Sequence, residues 1–185
     1  MTDMFEHDNA RNDELILVDA FDRKIGSATK ERAHLDGLLH RAFSVVIMRS
    51  TEGGPELLVA KRSLLKYHSG GLWANSCCSH PRVGEDTAQA AQRRTFEELG
   101  VKPTEMREIH SFVYRSVFDN GITEYEYDHV FVAGCTGDLN PDPAEASEVR
   151  WVSAKELANE LADAPETFAT WTLTVFPLVF AWLSS

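Results

Sequence analysis

Asn75-Ser76-Cys77-Cys78-Ser79-His80-Pro81 puts two thiols, an imidazole, an amide and two hydroxyls into one short segment. A loop cysteine beside His, Asn and Ser suits proton transfer or nucleophilic attack. The segment is a poor zinc knuckle, because adjacent cysteines rarely share one ion and no second Cys pair follows. Chemistry alone does not choose between Cys77 and Cys78. A second set of groups is dispersed: His34 and His40, then His80, then Glu124 and Glu126 two positions apart. Any one His is more often a satisfied polar residue than a ligand, and a carboxylate pair at this spacing often marks a solvated strand. If a fold gathers all five, three imidazoles and two carboxylates would suit Mn²⁺, Zn²⁺ or Fe²⁺ rather than an all-sulfur structural zinc site.

These residues need elements to position them. Leu15 to Val18 reads as a strand closed by a turn around Asp22, Arg23 and Gly26. Ala42 to Met48 is a second β-branched run, broken at Gly53-Gly54-Pro55 and resumed from Glu56 to Lys61 as a hairpin. Lys61 to Gly84 is rich in Gly, Ser and His with little periodicity, and a loop of that length in a small domain is usually functional. The clearest helix is Asp86 to Leu99. Asp86 can cap Gln89, Gly100 stops the helix, and Ala88, Ala91, Thr95, Phe96 and Leu99 are expected on its buried face. Strands follow over Glu108–Val117 and Glu124–Ala133. In the second, Glu124, Glu126 and Asp128 face one way and Tyr125 and Tyr127 the other. Ser153 with Glu156 makes a capping box for a short helix to Leu161. Phe168 to Leu183 is apolar but too short to cross a bilayer and contains Pro177, so it reads as a core helix.

The 185 residues fit one domain over 15–185 behind a flexible N-terminus over 1–14, with no internal repeat. A net charge of −11 argues against a nucleic-acid binder, which would show a basic face. Three cysteines make no disulfide framework, and no secretory signal precedes the chain, so a cytoplasmic setting is expected. His7, His68, His110 and His129 carry no motif and read as surface or structural. Cys135 reads as a small core residue, and the acidic run Asp138–Glu148 as a solvated loop. Strands around one central helix, with helices at the C-terminus, give an α+β sandwich of helices on a mixed sheet.

Glu85, Arg93-Arg94 and Glu97-Glu98-Leu99-Gly100-Val101 resemble the Nudix box, whose clustered glutamates hold Mg²⁺ for diphosphate hydrolysis. Ser79 stands where that box has Gly, Arg94 where it has Glu, and Thr95 where it has an aliphatic residue. The hydrolase site therefore looks reassigned. That altered pattern is similar to the type I isopentenyl-diphosphate isomerases of the Nudix superfamily. The matching segments, spread from Leu15 to about Leu183, are Leu39–Ser44, Lys61-Arg62-Ser63, Trp73–Pro81, Arg93–Gly100 and Glu124-Tyr125-Glu126.

The resemblance implies a Nudix-type α/β/α sandwich with a mixed sheet. It also implies a 1,3-allylic proton shift that interconverts isopentenyl and dimethylallyl diphosphate through a tertiary carbocation. It selects Cys78 as the catalytic thiol, paired with Glu126, with Tyr114 and Trp171 as active-site aromatics. His34, His40, His80, Glu124 and Glu126 are then the ligands of a Mn²⁺ (or Zn²⁺) ion. Glu98 and the main-chain oxygen of Cys78 hold a Mg²⁺, and Lys30, Arg62, Lys66 and Arg94 bind the diphosphate. The partners implied are a small diphosphate substrate, no nucleic acid and no membrane insertion, with the chain acting as a monomer. The sequence departs from the family in one spacing: His40 follows His34 by six positions rather than seven. Two rival readings remain open at this point, an active Nudix hydrolase of nucleoside diphosphates and a catalytically silent metal-binding scaffold.

Overall fold

The β-branched run after His40 becomes the central strand of the molecule. The computed structural model describes residues 14–185, so 1–13 of the expected flexible segment over 1–14 lie outside them; Glu14 instead opens the first strand. In chain order the strands are β1 (Glu14–Val18), β2 (Lys24–Thr29), β3 (His40–Thr51), β4 (Gly54–Arg62), β5 (Trp73–Asn75), β6 (Cys77–Ser79), β7 (Lys102–Val117), β8 (Thr123–Thr136) and β9 (Ala146–Ser153). The helices are α1 (Lys30–Leu35), α2 (Thr87–Leu99), α3 (Ala154–Asp163) and α4 (Thr172–Leu183).

β3 is long enough to serve two sets of neighbours. Its first two thirds run parallel to β8, from His40 opposite Glu126 to Ile47 opposite Ala133, and pair antiparallel with β6 over Phe43 to Val45. Its last residues turn at Gly54 into β4, which carries β5 on one edge and β9 on the other. Side chains alternate along a strand, so β3 feeds two cores. Phe43, Val45 and Ile47 pack with Cys77, Ala90, Ala91 and Leu99 beneath α2. Val46 packs with Val59, Phe168, Val175, Phe176 and Val179 beneath α4 and α3. Helices on both faces of a mixed sheet make the α/β/α sandwich.

Asp86 caps α2 as expected, its Oδ1 accepting from the Gln89 N–H at 3.0 Å, and Gly100 ends it at φ +74°. A side chain at Gly100 would also meet Asn140, 3.0 Å from its Cβ. The buried face of α2 differs from the expected one. Ala90, Ala91, Arg94, Thr95, Glu98 and Leu99 turn inward, while Phe96 is half exposed. The inward stripe recurs every four residues, and Phe96 lies off it; Arg94 and Glu98 can be buried there because they neutralise each other.

Two other expectations change, and one stretch without an assigned element forms a helix. The polar stretch after Thr29 forms α1, with the Thr29 hydroxyl accepting from Arg32 N at 3.3 Å. Lys61–Gly84 contains β5 and β6, whose three-residue length leaves no periodicity to read. The acidic run is not wholly solvated: Glu145 is half-buried and β9 begins at Ala146. Among the described residues no helix is long and apolar enough to cross a membrane.

Candidate active site

The three predicted histidines arrive from three directions. His34 sits in the last turn of α1. A turn at Gly37 (φ +60°), tight against Thr123, then returns the chain to His40 at the start of β3. His80 follows β6 directly. The ring centroids of His34 and His40 lie 5.0 Å apart, those of His40 and His80 5.0 Å, and those of His34 and His80 6.0 Å. The six-residue spacing is therefore long enough to bring both N-terminal rings together. Glu124 and Glu126 project from β8, alternating with Tyr125 and Tyr127, and both are buried.

Ligand atoms of His34, His40, His80 and Glu124 all lie within 4.8 Å of one another. Glu126 stands beside them, its Oε1 2.8 Å from His80 Nε2 and 3.6 Å from His40 Nε2. Nδ1 of His34 contacts the Lys30 carbonyl at 2.6 Å, and Nδ1 of His40 the Leu38 carbonyl at 2.8 Å. A carbonyl only accepts, so each Nδ1 carries the proton and each neutral ring presents a lone pair at Nε2. His34 Nε2 faces Glu124 Oε1 at 3.1 Å and the Tyr67 hydroxyl at 3.3 Å. Among the described residues, His40 Nε2 and Glu124 Oε2 are buried without hydrogen-bond partners. A divalent cation bound between these groups would satisfy all of them, and the donor set is one that divalent transition ions accept. Without a cation, burial would lower the proton affinity of His34, but the Glu124 carboxylate outweighs it and raises it. Burial would also raise the Glu124 carboxyl, yet His34 and His68 hold it well below its usual range. His80 is pulled down by burial to about 4.

The register of β6 separates the two thiols. Val45 opposes Cys77 and Ser44 opposes Cys78, so the cysteines leave the sheet on opposite faces. Cys77 is buried in the core beneath α2. Cys78 lines a cavity of about 420 Å³. Its Sγ donates to Asn75 Oδ1 at 2.9 Å, receives the indole N–H of Trp171 at 3.0 Å, and lies 3.7 Å from Ser44 Oγ. Burial, with Asp128 nearby, raises the Cys78 thiol far above its ordinary value, so it is protonated at neutral pH. On the same cavity Tyr114, opposite Glu126 across the β7–β8 pair, donates to Glu126 Oε2 at 2.6 Å. Burial and Glu126 together hold the Tyr114 phenol well above 10.

Lys30, Arg62, Lys66 and Arg94 all line this cavity. The Lys30 ammonium lies 5.0 Å over the Tyr67 ring, and the Arg62 guanidinium 5.1 Å over Trp171. Lys66 pairs with Glu145. Arg94 reaches across the α2 edge to Ser79 Oγ (3.0 Å), Glu97 (2.8 Å), Glu98 (2.7 Å) and Glu145 (3.0 Å). Glu98 and Cys78 line a smaller cavity of about 30 Å³ beside the first. Burial raises the Glu98 carboxyl despite Arg94.

Several site residues carried no readable signal. His68, expected at the surface or in a structural role, is buried with Nε2 2.6 Å from Glu124 Oε1. Ser44 donates to Asp128 at 2.8 Å, and Glu145 bridges Lys66 and Arg94. Each depends on pairing between distant segments. Among the other histidines, His110 is exposed and His129 pairs with Asp22 and Glu108, while His7 lies outside the described residues.

Glu85 secures the start of the motif helix, taking both Arg93 Nε and Nη2 at 2.7 Å and the Arg82 N–H at 2.9 Å. The Arg93 contact holds its carboxyl below the usual 4.5. A depressed acid contributes stability above its unfolded value and loses it as pH falls through the folded one. Glu85→Gln is therefore expected to lower unfolding stability at pH 7 by less than about 1 kcal/mol, the pair being largely solvent-screened. Urea midpoints of native and variant chains should converge as the pH drops below 4.5.

The NUDIX domain profile matches residues 38–172. An isopentenyl-diphosphate Delta-isomerase of Photobacterium profundum is 46% identical over 175 residues, 94% of this chain and 97% of the relative. An isopentenyl-diphosphate Delta-isomerase 2 of Aromatoleum aromaticum is 47% identical over 161 residues, 86% of this chain and 82% of the relative. The chain belongs to the isopentenyl-diphosphate Delta-isomerase family. Solved structures agree on the fold of this Nudix isomerase family member. A Deinococcus radiodurans protein matches with a TM-score of 0.64 at 20% identity, over 82% of this chain and 90% of that one. The NUDIX domain of Shewanella oneidensis NrtR, complexed with ADP ribose, matches with a TM-score of 0.61 at 18% identity, over 99% of both chains.

Proposed function

We propose that the chain is an isopentenyl-diphosphate isomerase whose proton-transfer pair is Cys78 and Glu126. The single observation that carries the assignment is family membership over nearly the whole chain; the geometry of the cavity supports the residue roles. One member of the pair delivers a proton to the alkene, whose π electrons form the new C–H bond and leave a tertiary cation. The other removes a proton from the neighbouring carbon, and that C–H pair becomes the new double bond. Protons and electrons balance with no oxidant, and the pair exchanges roles in the reverse direction. A thiol that burial keeps protonated, lining one cavity with a carboxylate fixed by His80 and Tyr114, fits this division.

Trp171 holds the thiol through its indole N–H. An aromatic face beside the developing cation contributes ~2 kcal/mol or more when desolvated. Lys30, Arg62, Lys66 and Arg94 grip the diphosphate, and water has to be kept from the cation, which it would trap as an alcohol. His34, His40, His80, Glu124 and Glu126 would hold Mn²⁺ or Zn²⁺, and Glu98 with the Cys78 carbonyl would hold Mg²⁺. When bound, the first ion supplies charge that tunes Glu126 and the second neutralises the diphosphate.

Incubation of the purified chain with isopentenyl diphosphate, Mg²⁺ and Mn²⁺ is expected to yield the dimethylallyl isomer without phosphate release. Release of phosphate from nucleoside diphosphates, unaffected by Cys78→Ala, would instead support the Nudix hydrolase. Metal uptake with no turnover of either substrate would support the scaffold.

A further inference from the structure

His68 is held inside the site by its own turn. Gly71 N donates to Arg62 O at 2.9 Å, Lys66 N donates to Ser63 O at 3.2 Å, and Asn120 Nδ2 donates to the Tyr67 carbonyl at 2.9 Å. A side chain at Gly70 would press to 3.2 Å from the Ser63 carbonyl, so the turn is tightly packed at this glycine. The buried imidazole stacks on Phe118 with centroids 4.7 Å apart and stands edge-on to Trp171 at 5.9 Å.

Its two nitrogens have different partners. Nε2 is 2.6 Å from Glu124 Oε1, and Nδ1 is 3.2 Å from Ser69 Oγ. A carboxylate only accepts, whereas a hydroxyl can donate, so the ring proton belongs on Nε2 with Ser69 donating to Nδ1. Oε1 is thereby engaged, and Oε2 of Glu124 is left without a hydrogen-bond partner among the described residues.

We infer that His68 is a positioning residue that orients the Glu124 carboxylate for divalent-cation binding by donating Nε2–H to its Oε1. This rests on the reading of Glu124 as a cation ligand. Partners that orient a ligating group typically change metal affinity 10–100-fold when removed. The same ring forms part of the cavity wall beside Trp171, so it ties the aromatic wall to the cation cluster.

Mn²⁺ affinity of the whole chain, measured by electron paramagnetic resonance of the free ion, tests the inference with two variants of opposite character. His68→Phe keeps the stacked ring without the donor; His68→Gln keeps an N–H donor without the ring. The Phe variant is expected to bind Mn²⁺ about 10–100-fold more weakly, with the Gln variant close to the native chain. Equal affinity in all three, or loss in the Gln variant with retention in the Phe variant, overturns the inference. Should His68→Phe fail to fold, Ser69→Gly takes its place. Ser69 has φ +51°, which glycine tolerates, and losing its hydroxyl should weaken Mn²⁺ binding in the same direction, while unchanged affinity would overturn the inference. A native chain that bound no Mn²⁺, or Glu124→Gln binding it as tightly as the native chain, would overturn the ligand set itself, a failure recognisable because it does not involve His68.

Discussion

Cys78→Ala is expected to reduce isomerisation by about 10²–10⁴-fold, the usual contribution of a positioned proton-transfer group. Cys77→Ala should remain active. The two residues are adjacent in sequence and opposite in environment. Cys77 is buried in the core with Phe43, Val45 and Leu99, while Cys78 lines the cavity against Asn75 and Trp171. Losing the Cys77 sulfur leaves a small void and should cost about 1 kcal/mol of stability, readable as a lower denaturation midpoint with turnover retained. Steady-state assays of both variants check this, and an active Cys78→Ala beside a dead Cys77→Ala would reverse the assignment of the thiols.

This pair also marks the limit of what the sequence could say. The spacing put both thiols in one segment and the resemblance selected Cys78, but their different surroundings follow from the register of β6 against β3, a pairing between residues more than thirty positions apart. Helix α2 was legible because its cap at Asp86 and its stop at Gly100 are local signals. Its inward face was not, because burying Arg94 and Glu98 depends on partners such as Glu145 from a distant loop. The alternation of Glu124, Glu126 and Asp128 on β8 was readable from the two-residue period. That this face points into a cavity rather than into solvent was not. His68 was the clearest omission. It sits in a turn whose position is set by contacts to Arg62, Ser63 and Asn120 rather than by any local pattern.

Glu126→Gln is expected to have the second large effect, a loss of turnover of about 10²–10⁴-fold together with weaker Mn²⁺ binding. The amide keeps the volume but removes the charge that His80 and Tyr114 now hold between them, at 2.8 and 2.6 Å. Burial and Glu124 raise the Glu126 carboxyl, but the neighbouring His40 and His80 imidazoles outweigh them, so it is ionised and ready to accept a proton. Two residues along the same strand face, Asp128 is in the opposite state. Burial and the nearby Glu126 push it well above the usual carboxylate range, which favours the protonated form. Asp128→Asn is isosteric with that protonated acid and should cost far less than Glu126→Gln. Comparing kcat for the two variants separates the working carboxylate from its structural neighbour. Similar losses in both would mean that the charge of the whole strand face, rather than Glu126, supports turnover.

The central claim is a reversible proton shift with exchange at the cavity. Isopentenyl diphosphate incubated with the chain, Mg²⁺ and Mn²⁺ in deuterium oxide, and recovered for mass spectrometry, tests it most directly. Deuterium in both the dimethylallyl product and the recovered isopentenyl substrate, absent with Cys78→Ala, is the predicted result. Unlabelled substrate with no dimethylallyl product formed by the native chain would contradict it.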